Sequence, residues 1–249
     1  CRASAIFRFS CALKHNTLHG VLWMGGAVLS FTAMAVAVRG LQRHMGSFEI
    51  VFLRSVVMLA IVGAMLPKAG LASVFSKRLS VHLWRNVIHF VGQVLWVFSI
   101  GALPLAMVFA IEFTMPVWTA ILAAMFLGER LGGPRLVQLV LGLAGVMVIV
   151  RPGSEGFHPA AIAMIVGSLC YAPSFIFTKR LSSTDSALAI LFWMSVVQTP
   201  ISLAFAVPQW AAPAWADAPW VVFIGAGSFS AHWCITQAMK GVDATLATP

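Results

Sequence analysis

Charge is what this sequence has least of. Aspartate and glutamate together number 7 in 249 residues, and all charged types make up 9%. A soluble domain carries about 25%. With 60% hydrophobic residues and a mean hydropathy of +0.94, no water-soluble fold of this length hides so much apolar surface, so lipid must solvate much of it. The four cysteines, Cys1, Cys11, Cys170 and Cys234, show no CxxC or other metal-type spacing. Cys170 and Cys234 lie inside apolar runs and read as small buried apolar residues. Residues 1–19 hold Arg2, Arg8 and Lys14 but only a broken apolar stretch, with no small-residue cleavage site before Gly20, so no signal peptide is expected. The P-loop, HExxH and GxSxG patterns are all missing. Direct ATP drive and hydrolase chemistry are therefore not expected, and no cofactor or metal is implied.

The formal charge of +9 and pI near 10.3 raise the question of nucleic acid. The basic residues sit in short gaps between apolar runs rather than on one face, as membrane topology alone produces, so no nucleic-acid partner is expected. Eight apolar segments follow one another, at about 20–38, 48–66, 86–103, 105–127, 134–150, 159–178, 187–207 and 219–239. Each is close to the roughly 20 residues a helix needs to cross a bilayer. The link from Gly101 to Leu105 makes the third and fourth a tight hairpin, and a ninth segment begins at Ala244. With the N-terminus inside, the cytoplasmic segments hold Arg2, Arg8, Lys14, Lys68, Lys77, Arg78, Arg85, Arg130, Arg135, Lys179, Arg180 and Lys240. The outer loops hold only Arg39, Arg43 and Arg151, and Arg54 lies within a span. That bias predicts a cytoplasmic N-terminus.

The chain also aligns with itself at an offset of about 138 residues, which pairs Ser30 with Ser168 and Leu103-Pro-Leu-Ala106 with Gly241-Val-Asp-Ala244. The expected fold class is an all-α integral membrane protein built as an inverted repeat of five transmembrane helices, with a midplane site between the halves. A cytoplasmic segment 1–19 precedes a first repeat, 20–151, and a second, 152–249. Extrapolation gives ten spans in a complete protein, of which eight and the start of a ninth are here, so the 249-residue chain is expected to be inactive alone.

Four stretches resemble one family. They are Phe48-Glu-Ile-Val-Phe-Leu-Arg54; the hairpin Ala102-Leu-Pro-Leu-Ala106 with Ala110-Ile-Glu-Phe-Thr-Met-Pro116; Phe126-Leu-Gly-Glu-Arg-Leu131; and Gln138-Leu-Val-Leu-Gly-Leu-Ala-Gly-Val146. Together they resemble the EamA-like branch of the drug/metabolite transporter superfamily over residues 18–249. The resemblance implies ten helices, a substrate site between the halves and export of small metabolites, in a bacterial inner membrane.

Glu112 is the foremost candidate. A carboxylate inside a span is expensive unless it faces a cavity or a partner. Pro116 follows four residues later and brings no N–H, so the Glu112 carbonyl loses its helix donor. One turn then offers a carboxyl and a free acceptor to a substrate ammonium, a proton or a water. The alternative is a structural carboxyl bonded to another helix. On the third span Asn86, His89, Gln93 and Trp96 share one face at steps of three and four, either a polar wall of the substrate path or interhelical glue. Ser30 on the first span, Ser168 and Tyr171 on the sixth and His232 on the eighth complete the candidate substrate contacts. Hydroxyls there equally bond their own backbones. Arg54 snorkels, pairs with Glu49 or meets the substrate directly, Glu129 serves a helix end, and Gly142 with Gly145 permits close helix packing.

The reading is a secondary-active exporter of a small metabolite, an amino acid or related compound, working by alternating access with protons as a candidate coupling ion. Its rivals are an intramembrane lipid-modifying enzyme and a channel or scaffold subunit. Ser228 and His232 share a face but lack the third partner that an enzyme needs.

Overall fold

The computed structural model describes residues 3–127, 132–150 and 158–240, apart from the side chains of residues 3–18, 127 and 135. Glu129, Arg130, Arg151 and the predicted hairpin 241–244 with the segment after it lie outside the described residues. Among the described residues the regular elements are all helical: α1 (Ala3–Leu41), α2 (Ser47–Ala69), α3 (Leu79–Ala102), α4 (Leu105–Glu112), α5 (Met115–Leu127), α6 (Gly133–Val150), α7 (Pro159–Ser182), α8 (Ala187–Ala206) and α9 (Ala218–Met239), with short 3₁₀ turns between some of them. The expected spans fall within these helices to within a few residues. The exception is the fourth, which divides into α4 and α5 around Phe113 and Thr114, one turn before Pro116, as a proline that cannot donate to the Glu112 carbonyl requires.

Helix ends use the signals available to them. Pro159 opens α7 behind His158, whose Nδ1 accepts from the Ala160 N–H at 3.1 Å. Ser186 caps α8 by accepting from the Ala189 N–H at 3.0 Å. Gly70 closes α2 at φ 79°, a left-handed conformation that suits glycine, and its N–H reaches Leu66. The C-terminal carbonyls of α3 and its hairpin are taken by Arg39, which donates from Nε to Ile100 at 3.0 Å and from a terminal nitrogen to Leu103.

Among the described residues, six stretches are long and apolar enough to cross a membrane. α3 is long enough at 24 residues but is not one of them, because the face it turns inward carries His82, Arg85, Asn86, His89 and Gln93, all buried. That face is covered by its neighbours, since α3 packs along α7 and touches α8, α2 and α1, while Leu83, Trp84, Val91 and Phe98 on its other side are exposed. α1 packs on α9, and α2 on α8 and α9. Small residues bring these pairs close. A Cβ added at Gly92 would lie 3.0 Å from Tyr171 and 3.2 Å from the Gly167 carbonyl, and one at Gly225 would lie 2.4 Å from Val57. Gly142 and Gly145, expected to serve this purpose, meet nothing within 4 Å among the described residues. Their helix α6 is exposed over most of its surface among the described residues, so no neighbour is there for them to admit.

Candidate functional site

Elements from both halves of the chain converge on one buried cavity. α3 contributes His89, Gln93 and Trp96, each 3–4% exposed. α2 adds Arg54, α4 adds Glu112, α7 adds Tyr171 and Phe175, and α9 adds His232, while Phe31, Met34 and Val38 close it from α1. The helical spacing on α3 explains why one helix dominates: steps of three and four keep successive polar side chains on one face. The cavity has a volume of about 30 Å³, room for two or three waters at about 10–15 Å³ each. No metabolite enters without the helices parting.

Two polar systems meet α3 one turn apart. In the first, Arg54 donates to Gln93 Oε1 at 2.5 Å and to Gln198 Oε1 at 3.4 Å. The Gln198 amide nitrogen donates onward to the Asn86 carbonyl at 3.2 Å and to His89 Nδ1 at 3.1 Å. Since that nitrogen must donate to a carbonyl, His89 Nδ1 is the acceptor, and a neutral His89 carries its proton on Nε2. The His89 ring lies 5.0 Å from that of His232 and 5.3 Å from Tyr171, centre to centre. In the second system Trp96 Nε1 donates to Glu112 Oε2 at 2.9 Å. Glu112 stands at a junction, because it also borders a side cleft of about 260 Å³ lined by Val28, Phe31, Thr32, Phe109 and Phe113.

Six of the eight candidate residues therefore line one cavity: Glu112, His89, Gln93, Trp96, Tyr171 and His232. Ser30 and Ser168 do not. Ser30 bonds Ser230 at 3.1 Å and the Gly26 carbonyl, and Ser168 bonds Thr114 at 3.1 Å and the Ile165 carbonyl. Both tie helices together, α1 to α9 and α7 to the α4–α5 break. Arg54 overturns one expectation. It does not pair with Glu49, whose Oε2 accepts instead from the Ala211 N–H at 3.3 Å. Five residues of helix place the two side chains about 140° apart, so they face different neighbours. Gln198 is the site residue that sequence reasoning passed over, and Arg54 was weighed there but not placed among the candidate contacts. The signal was their polarity within apolar spans, since such residues face the bundle interior and mark function by default.

Both ends of the bundle are fastened by a histidine–aspartate pair. At one end His44, after α1, bonds Asp217, before α9, at 2.9 Å. At the other, Asp185 after α7 accepts from Ser76 at 2.6 Å and bonds His82 at the start of α3 at 2.7 Å. Among the described residues no group of three or more His, Cys, Asp and Glu is arranged to hold a metal.

The family model of EamA-like transporters matches residues 18–151 and again 158–249. The chain belongs to the EamA-like transporter family. Among curated members, an S-adenosylmethionine uptake transporter of Rickettsia conorii is 28% identical over 96% of this chain and 81% of its own. A riboflavin transporter of Vibrio cholerae is 26% identical over 96% and 82%. A pseudopaline exporter of Pseudomonas aeruginosa is 25% identical over 94% and 81%. A solved crystal structure superposes with a TM-score of 0.71 at 18% identity, over 94% of this chain and 83% of that one, which speaks to the fold alone. Like the rest of this EamA-like family, the chain is a multi-pass membrane protein and a transporter of small metabolites, not an enzyme.

Proposed function

We propose that this chain is a secondary-active carrier of a small polar or amphipathic metabolite, an amino acid or a compound built on one, across a bacterial inner membrane with its N-terminus in the cytoplasm. It works by alternating access between two halves, 20–151 and 152–249, related as an inverted repeat. The observation that carries this reading is the crossed packing around the cavity. α1 pairs with α9, α3 with α7 and α2 with α8, a set of contacts that a two-fold relation between the halves would map onto itself. The paired clasps support it too. His44–Asp217 on the outer side and His82–Asp185 on the inner side each join one half to the other, and each must open for its side to gain access to the cavity.

Export was the expectation from resemblance, and relatives of similar identity bear the names of uptake and export proteins alike. Alternating access is reversible, so net direction follows the gradients. Glu112, beside Trp96 and between the cavity and the side cleft, is the candidate contact for a cationic group of the cargo and for a coupling proton.

The test uses the full-length protein in inside-out and right-side-out membrane vesicles. Labelled S-adenosylmethionine, riboflavin and a set of amino acids are offered with and without a proton gradient, to wild type and Glu112→Gln. Saturable flux of one class, abolished in Glu112→Gln, is the expected result. Flux that rises linearly with concentration would assign a channel instead. A pH dependence unchanged by Glu112→Gln would remove the proton from the mechanism.

A further inference from the structure

We propose that the wall of the cavity formed by α2, α3 and α9 is a carboxylate-binding subsite, in which Arg54, Gln93 and His232 receive an anionic end of the cargo. This deepens the carrier reading and rests on it.

Among the described residues, Arg54 has no carboxylate within ion-pairing distance, although it is only 5% exposed. Its charge is permanent. In an interior of low polarity, such a cation is expected to pair with an acid when its purpose is structural. Glu112 lines the same cavity, yet the two are not joined: Arg54 is held by two amide oxygens and Glu112 by an indole N–H. The cavity therefore keeps a cation and an acid apart, tied to Gln93 and Trp96 three residues apart on α3.

What Arg54 and Gln93 leave unused are donors. Arg54 Nε, Gln93 Nε2 and His232 Nε2 are buried and have no hydrogen-bond partner. The orientation of Gln93 is not arbitrary, because its oxygen accepts from Arg54, so its free end is an NH₂ donor. Arg54 Nε is a donor always, and His232 Nε2 donates when it carries the ring proton. Three helices thus bring residues with unused polar atoms to the lining of one small space, and buried donors left without partners are unfavourable. An acceptor with several lone pairs and one negative charge satisfies them together. A carboxylate has two oxygens and a single charge, which Arg54 balances. A doubly charged phosphate leaves one charge unmatched. Trp96, one turn along α3 from Gln93, and Glu112 then face the remainder of the cargo, and a cationic or aromatic group suits them. The cargo class is a dipolar metabolite with a free carboxylate.

The experiment is thermal unfolding of the purified full-length protein in one detergent, titrated with sodium acetate, acetamide, sodium phosphate or sodium chloride at matched ionic strength. Acetate is expected to raise the wild-type melting temperature saturably, by about 3–5 °C when it reaches about ten times its dissociation constant. Acetamide, phosphate and chloride are expected to do less, and Arg54→Met is expected to abolish the acetate effect. Without ligand, Arg54→Met should melt near wild type, because removing a buried cation with no acid partner offsets the loss of the donors to Gln93 Oε1 and Gln198 Oε1. His232→Phe, which removes one donor and no fixed charge, serves as the second variant and should halve the acetate shift or more. The proposal is overturned if acetate gives no shift, if acetamide or phosphate matches it, or if the shift survives in both variants. It is also overturned if unliganded Arg54→Met unfolds well below wild type or fails to fold, as a structural arginine requires. Saturable vesicle flux together with a failed acetate titration removes only the subsite. An acetate shift with silent vesicles leaves the subsite and withdraws the carrier.

Discussion

Two glycine-to-alanine substitutions that are the same on paper should have opposite effects. A Cβ at Gly225 would stand 2.4 Å from both Cβ and Cγ1 of Val57 and 3.3 Å from the Arg54 carbonyl. Val57 Cβ is fixed to the α2 backbone and cannot swing aside. Ordinary contact begins near 3.4 Å, so α9 must retreat from α2 by roughly 1 Å. Overpacking of this kind costs about 1–3 kcal/mol. Among the described residues Gly142 has nothing within 4 Å, so alanine there adds only helix propensity, a gain of about 0.5–1 kcal/mol. Both sites lie inside helices, so the propensity gain is common to the two and their difference isolates the clash. For a chain of this size about 1–3 kcal/mol separates the melting temperatures by roughly 2–12 °C, with Gly225→Ala below wild type and Gly142→Ala slightly above. The assay is thermal unfolding of both variants in the same detergent, followed by ligand binding. The retreat occurs at the level of Arg54, so Gly225→Ala should weaken binding even below its melting point, while Gly142→Ala should not. If the two variants melt within about 1 °C of each other, the α2–α9 approach described here is wrong.

Trp96→Phe preserves a ring but leaves Glu112 Oε2 without its donor. A hydrogen bond to a charged group is worth about 1.5–3 kcal/mol, so cargo affinity should change by roughly tenfold to a hundredfold, and the effect should largely vanish in a Glu112→Gln background. Arg39→Met frees the Ile100 and Leu103 carbonyls at the α3–α4 hairpin and should destabilise by about 1.5–3 kcal/mol, read by thermal unfolding. Asp185 gives a pH signature. Burial pushes its carboxyl up, but the Ser76 and His82 hydrogen bonds outweigh that and hold it below its ordinary value. A depressed carboxyl contributes stability that is fully present above its unfolded value and is lost as pH falls through the lower folded one. Wild type should therefore lose stability in that acid range, and Asp185→Asn should start lower and lack that part of the loss in melts taken across pH.

The helices were legible because each carries its own punctuation. Proline and glycine at 67–70, 116, 133–134 and 159 stop, break or start elements where local chemistry alone requires it. The polar face of α3 was legible for the same reason, since periodicity of three and four is a property of one helix. Partnerships between helices were not. Arg54 and Glu49 are close in sequence and turned to different neighbours, whereas Arg54 meets Gln93 and Gln198 across 39 and 144 residues. Gly142 and Gly225 look alike as residues, and only the facing helix distinguishes them. The same holds for the hydroxyls: Ser30 and Ser168 recur at the repeat offset, yet they bond helix to helix, because a serine on a span is satisfied by whatever backbone or hydroxyl lies nearest. An arginine or an amide is longer and harder to satisfy locally, so its partners lie farther off, and the donors it leaves over are what a cavity offers to cargo. In a chain so poor in charge, the ionisable groups that remain within the spans are therefore better guides to the site than the more numerous hydroxyls.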